Sequence, residues 1–238
     1  MTQKRNSGPF LKSFYISNQK IEALAKNRLE SLHLMPSSPS PVQIEKYCER
    51  RWHFAEDYRE LEQGILGCAS FSENGVVDIA VSRDLCEDTS RIGIVRTRST
   101  LAHEIGHGEL HADAYAAKIR YDRDQGELFS QAPKDETIKI ACREGQIHSA
   151  NSYEWWETQA NRYMVAVLLP KHLLREAVEN WILHKKNARF RPILQTFEDE
   201  IAAIFEVSKE MARIAGVAMY ESIMAEGRQL KASYLATH

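Results

Sequence analysis

No stretch of the chain approaches the ~20 consecutive apolar residues that a membrane-spanning helix requires, so the sequence is read as non-membrane. No sign of charge dominates either: 31 Lys and Arg stand against 33 Asp and Glu. That balance excludes a globally basic nucleic-acid binder while leaving room for a local patch. Cysteine is scarce, and Cys48, Cys68, Cys86 and Cys142 are scattered without C-x-x-C spacing. They read as reduced thiols of a cytoplasmic protein, and the spacing argues against a cysteine-based zinc site. The start, MTQKRNSGP, is basic but no apolar core follows it, so it is not read as a secretory signal. The 238 residues suit one large domain, or a domain with a small appendage.

What is present is concentrated in residues 99–111, STLAHEIGHGELH. His103 and His107 stand four apart, so on a helix they share a face, one turn from each other. That spacing lets two imidazole nitrogens meet one zinc ion at about 2.0–2.1 Å each. Glu104 follows the first histidine and can reach a zinc-activated water without ligating the ion, the arrangement of H-E-x-x-H metalloproteases. The competing reading of so short a motif is an amphipathic helix with two incidental histidines. Three features weigh against it. Ser99 or Thr100 can cap a helix opening there. Buried histidines and a buried glutamate need partners, which a metal provides. Gly106 costs about 1 kcal/mol of helix propensity, which is easier to explain if another element packs against it.

A site of this kind needs a third protein ligand. Ala160, Tyr163, Met164, Val167 and Leu168 recur at three- and four-residue spacing, marking a second buried-face helix. Glu157 lies on the face of Ala160 and Asn161 and is the candidate ligand. A solvated surface role for Glu157 is the alternative, with Glu154 the nearest competing acid. Asn161 is placed to orient a ligand. His111 continues the His103–His107 face. Position 113, where a metzincin would carry its third histidine, is Asp113, so His111 reads as a supporting residue rather than a ligand. His111, His148, Tyr153 and Arg98 are candidates for stabilising an oxyanion.

Residues 99–111 together with 157–170, ETQANRYMVAVLLP, resemble the ImmA/IrrE family of metallo-endopeptidases. That family carries a T-L-A-H-E-I/L-G-H-x-x-L-H helix and a second helix of the form E-x-E/Q-A-N-x-F/Y-A-x-x-L-L-M-P. The likeness covers about thirty positions closely and, more weakly, the chain from about Ile21 to Ser222. Departures include Leu169 for the methionine before Pro170, Val167 for a small or acidic residue, and Gln159 for a glutamate. The resemblance implies a gluzincin-like Zn2+ site: His103, His107 and Glu157 as ligands and Glu104 as catalytic base. It also implies a narrow protein substrate, often a helix-turn-helix repressor.

Along the chain, residues 1–20 read as a flexible segment apart from Phe10, Leu11 and Phe14, and a helix is expected from Ile21 to Leu34. A Pro/Ser turn follows at Met35–Pro41, and a second helix over Val42–Trp52. Ile65–Phe71 and Val76–Val81 read as a hairpin about Asn74-Gly75, whose edge could hold an extended peptide. Residues 112–150 are polar and irregular, with a helical extension through Tyr115 and Ile119 and a short strand at Ile138–Cys142. Helices are expected at Leu173–Trp181 and Gln195–Phe205, around a small basic run at Lys185–Arg191. Val207 and Ser208 open a last helix to about Met224. Ile201–Arg213 has a helix-turn-helix-like pattern, with Lys209, Glu210 and Arg213 as the base-contacting side chains if it reads DNA.

The expected fold is α+β, a mostly helical zincin-like core over residues 21–190 with a small antiparallel sheet beside the H-E-x-x-H helix. Residues 191–238 form a helical segment packed on it. The leading function is a cytoplasmic zinc endopeptidase acting on a protein. The rival is a regulatory DNA- or protein-binding module with a structural or vestigial zinc site. Oligomeric state is not legible.

Overall fold

A computed structural model describes residues 10, 12–54, 58–127, 137–143, 154–187 and 194–237. Leu11, His148, Tyr153 and most of the basic run at Lys185–Arg191 lie outside the described residues or their described side chains. The fold is α+β and mostly helical. It divides into two compact units, one of Met1–Leu34 with Gln43–Val167, the other of Met35–Val42 with Leu168–His238. The division falls at Leu168, ahead of the boundary at 190 expected from the sequence. Among the described residues, no helix is long and apolar enough to cross a membrane.

In the first unit, α1 (Asn18–Ser31) begins where the Ser17 hydroxyl accepts from the Lys20 amide, and it buries the stripe Ile21, Ala25 and Leu29. A 3-10 turn (Ile44–Lys46) leads into α2 (Tyr47–Trp52). The described residues of this unit form four strands: β1 (Tyr58–Arg59), β2 (Ile65–Ser72), β3 (Gly75–Ser82) and β4 (Ile138–Arg143). Their order is β1-β3-β2-β4. The β2–β3 and β2–β4 pairs are antiparallel, but β1 pairs parallel to β3, so the sheet is mixed rather than purely antiparallel. The hairpin forms as expected, although Ser72 faces Gly75 across it, so the turn residues are Glu73 and Asn74. Gly75 has φ +113°, a conformation L side chains resist.

The short helix α3 (Arg83–Glu87) precedes α4, which runs unbroken over 37 residues, Arg91–Glu127, against β2 and β3. It opens eight residues earlier than Ser99. The Ser90 hydroxyl accepts from the Gly93 amide and so caps the start. Ser99 and Thr100 are buried inside the helix instead. The helical extension expected through Tyr115 and Ile119 forms and runs on to Glu127, and the short strand expected at Ile138–Cys142 is β4. Helix α5 (Trp155–Leu168) lies where the apolar spacing put it.

Residues before α1 are not all loosely held. Phe10 is 4% exposed and sits among Tyr115, Trp155 and Trp156, with ring centroids 4.5–5.9 Å away. Aromatic burial of this size outweighs the ordering entropy that a polar tail could not recover.

In the second unit, α6 (Lys171–Asn187), α7 (Leu194–Phe205) and α8 (Lys209–Thr237) form a helical group. Trp181, Phe197 and Tyr220 form its aromatic centre. Helix α7 ends at Glu206, φ +52°, and the Ser208 hydroxyl accepts from Met211 N–H to start α8 as expected. The proposed DNA-reading side chains are engaged locally, Lys209 with Asp199 and Arg213 with Glu210.

Candidate metal centre

Helices α4 and α5 supply the site. Gly106 lets them close: a Cβ there would lie 2.9 Å from the Ala160 carbonyl oxygen and 3.2 Å from Tyr163 Cβ. The helix-breaking residue is thus explained by a backbone approach, as the sequence suggested. His103, Glu104, His107 and His111 are all 1% exposed or less, and Glu157 is 8% exposed.

The ligand atoms of His103, His107 and Glu157 lie within 4.8 Å of one another. His103 Nε2 is 3.1 Å from Glu157 Oε2 and 3.1 Å from His107 Nε2, and His107 Nε2 is 3.5 Å from Glu157 Oε1. Two donors bound to one zinc at about 2.0–2.2 Å stand roughly 3.3 Å apart in tetrahedral geometry, so these separations fit. Glu154 belongs to neither metal-holding group found among the described residues. It drops behind Glu157 as the third ligand.

The surrounding hydrogen bonds fix which nitrogen of each ring faces this point. Gln159 Nε2 donates to the Phe14 carbonyl, so Gln159 Oε1 is turned to His111 Nε2, 3.1 Å away. His111 Nε2–H therefore donates, and its Nδ1 is left as an acceptor. His107 Nδ1–H fills that acceptor at 3.0 Å, which leaves a lone pair on His107 Nε2. On the other ligand, His103 Nδ1–H donates to Asn161 Oδ1 at 2.9 Å, and Nε2 again faces the shared point. Two imidazole nitrogens and a carboxylate thus converge and require a positive charge between them. Without metal, a proton on His103 serves. Burial opposes that proton, but the hydrogen bond and charge of Glu157, with the charge of Glu104, raise the His103 pKa. Burial drives His111 down to about 3 and, with the charge of His103, lowers His107, so both stay neutral at ordinary pH. Those are the protonation states ligation needs.

Glu104 is fully buried and no side chain hydrogen-bonds its carboxylate; the Cys142 main chain is the one group that stabilises its charged form by hydrogen bonding. Burial, reinforced by the charge of Glu157, raises its pKa to about 8. Room for it comes from Gly67 on β2: a Cβ there would meet Thr100 Cγ2 at 2.6 Å and Glu104 Cγ at 3.0 Å.

Beyond the ligands, Glu109 clamps α4 to its neighbours. It accepts from Arg28 and Arg51 at 2.8 Å each and from the Tyr47 hydroxyl at 3.1 Å, and Tyr47 is 2.7 Å from the Tyr163 hydroxyl. This ties α1, α2 and α5 to the helix that carries the histidines.

Of the residues named from sequence, His103, His107, Glu157, Glu104, Asn161 and His111 come together. Arg98 does not serve as a free oxyanion donor, because its guanidinium is paired with Glu45 at 2.7 Å. Three contributors had not been singled out: Gly67, the Gln159–Phe14 link, and Cys142. The thiol of Cys142 lies within 4.8 Å of donor atoms of both His103 and Glu104. The scattered spacing argued only against a cysteine-based zinc site, and strand pairing brings this one sulfur near His103 and Glu104. No protein-family model matches the chain, and no curated protein matches it significantly.

Proposed function

We propose that the chain is a zinc-dependent endopeptidase of cytoplasmic location, acting on a protein substrate. The observation that carries this reading is a buried carboxylate with no side-chain partner, Glu104, beside a point where two oriented imidazole nitrogens and Glu157 converge. A purely structural site has no use for such a base.

His103, His107 and Glu157 would hold the ion. When bound, zinc supplies Lewis acidity at an open position, lowering the pKa of water from about 15.7 to near 7 and polarising a carbonyl. Glu104 takes the proton of the attacking water and returns it to the leaving amine. Its raised pKa suits that exchange near neutral pH. His111 and Asn161 keep the two ligand nitrogens facing the site throughout. The β2–β3 hairpin expected to hold a peptide is flanked by β1 and β4, so among the described strands these are the edges, and it is β4 that would offer backbone groups to an extended peptide by β-addition. By resemblance to the ImmA/IrrE family, the substrate is a helix-turn-helix repressor. The ion pairs of Lys209 and Arg213 give direct DNA binding no support.

The test is Glu104→Gln beside wild type, both zinc-loaded, incubated with a cell lysate whose new protein termini are then identified by mass spectrometry. Termini generated by wild type and absent with the variant, at equal zinc content, support the reading. Equal sets of termini from both proteins would sink Glu104 as the base.

A further inference from the structure

The H-E-x-x-H arrangement leaves one zinc position open for water. In this chain a sulfur lies close to two residues of that arrangement, His103 and Glu104. Cys142 is the last-but-one residue of β4, and its Cα is paired with that of Gly67, which in turn pairs with Val81. Residues paired across strands share a face of the sheet. The face of Gly67 is the one turned to Thr100 and Glu104 on α4. Cys142 therefore projects toward the same helix, and it is 3% exposed.

Its sulfur, a His103 nitrogen and a Glu104 oxygen all lie within 4.8 Å of one another. This second group shares His103 with the first. His103 Nδ1 is held by Asn161, so Nε2 is the one nitrogen available to a metal in both groups. Through that nitrogen the sulfur can join the His103–His107–Glu157 set on one ion once Cys142, which stands outside that set here, moves inward. A nitrogen and a sulfur bound to one tetrahedral zinc at about 2.0 and 2.3 Å stand roughly 3.5 Å apart, so the thiol has to swing inward to ligate. The independent sign that this pocket accepts a ligand is Glu104, fully buried with no side chain hydrogen-bonded to its carboxylate and only the Cys142 main chain beside it.

Resting on the zinc site proposed above, we infer that Cys142 is a fourth ligand, closing the open position in a latent form of the protein. Thiolate is among the preferred donors of zinc. The S–H bond breaks as the sulfur–metal bond forms, the proton passes to the Glu104 carboxylate, and the water it replaces leaves to solvent. In that state the sulfur holds the position and Glu104 carries a proton, so neither nucleophile nor base is available. Hydrolysis begins only when Cys142 withdraws.

The experiment uses cobalt(II) added to the metal-free full-length chain, followed by absorption spectroscopy. Wild type should show a sulfur-to-cobalt charge-transfer band in the near ultraviolet. Cys142→Ser should lose it while keeping the visible cobalt bands, and Cys68→Ser should retain it. Cobalt bound to wild type without the sulfur band overturns the inference and leaves the zinc site standing. A band that survives in Cys142→Ser also overturns it. If wild type binds neither cobalt nor zinc, the metal reading itself fails and takes this inference with it. Should Cys142→Ser not fold, X-ray absorption at the zinc edge of wild type decides: a sulfur scatterer at about 2.3 Å supports the assignment, and a shell of nitrogen and oxygen alone refutes it.

Discussion

Replacing Gln159 by leucine should weaken zinc binding although Gln159 is not a ligand. Its carbonyl oxygen accepts from His111 Nε2–H, and through His111 it holds the proton of His107 on Nδ1. Leucine keeps the bulk and removes the acceptor. His111 then either leaves a buried N–H unpaired, or moves its proton to Nδ1. The first costs about 1–3 kcal/mol. The second turns both Nδ1 groups into donors facing each other at 3.0 Å, and pushes the His107 proton to Nε2, where it blocks ligation. The metal-free protein can relax by that tautomer shift, whereas the zinc-bound protein cannot. The penalty therefore falls on the bound state alone. Loss of a partner behind a metal-binding histidine typically costs 10–100-fold in affinity, or about 1.4–2.7 kcal/mol, which agrees with the hydrogen-bond figure. Competition with a chelator of known affinity measures it, and circular dichroism checks that the fold is retained. Gln159→Glu keeps an acceptor for His111 and should recover part of the loss. A folded Gln159→Leu protein that binds zinc as tightly as wild type would refute the relay.

Three other outcomes follow from the same geometry. Glu157→Ala should lower zinc affinity by at least about 100-fold, more than a supporting residue does, while Glu154→Ala leaves metal content unchanged by elemental analysis; equal loss in both would reopen the third ligand. Gly67→Ala forces a Cβ to 2.6 Å from Thr100 and 3.0 Å from Glu104, so denaturant unfolding should show about 1–3 kcal/mol of destabilisation, and wild-type stability in the variant would mean that β2 is not packed on α4 as described. Zinc affinity should rise with pH, by up to about tenfold per unit while His103 is protonated: its folded pKa lies above 6.5, so the stability its proton lends the metal-free fold is complete below 6.5 and fades as pH passes the folded value. Calorimetric titration across that range checks this, and a pH-independent affinity contradicts the shared-proton picture.

Much of the centre was legible because it obeys helical arithmetic. The four-residue step from His103 to His107 and the face shared by Glu157 and Asn161 need only the period of a helix. Gly106 announced a close contact by its poor propensity, and the hairpin of β2 and β3 by its turn. What escaped depends on relations that period does not encode. Cys142 reaches the centre only through the register of β4 on β2, set by residues far off in the chain. The start of α4 was misplaced because Ser90 and Ser99 offer the same hydroxyl, and only burial tells a cap from an interior residue. The two-residue strand β1 is too short to show alternation, so its parallel pairing with β3 could not be read. Gln159 looked like a lost acid, whereas its amide is what the relay uses, since it must accept from His111 and donate to Phe14 at once.

The far end of that relay is a main-chain oxygen. Substituting Phe14 alters a side chain but cannot delete the carbonyl that receives Gln159 Nε2–H. The lettering of the segment ahead of α1 is therefore free to drift as long as its path is kept. Trimming the chain to the first residue of α1 is a different matter. It would leave every residue of both recognisable motifs in place and still untie the histidine they depend on. For anyone shortening this protein, the two motifs are a misleading guide to where the working part begins.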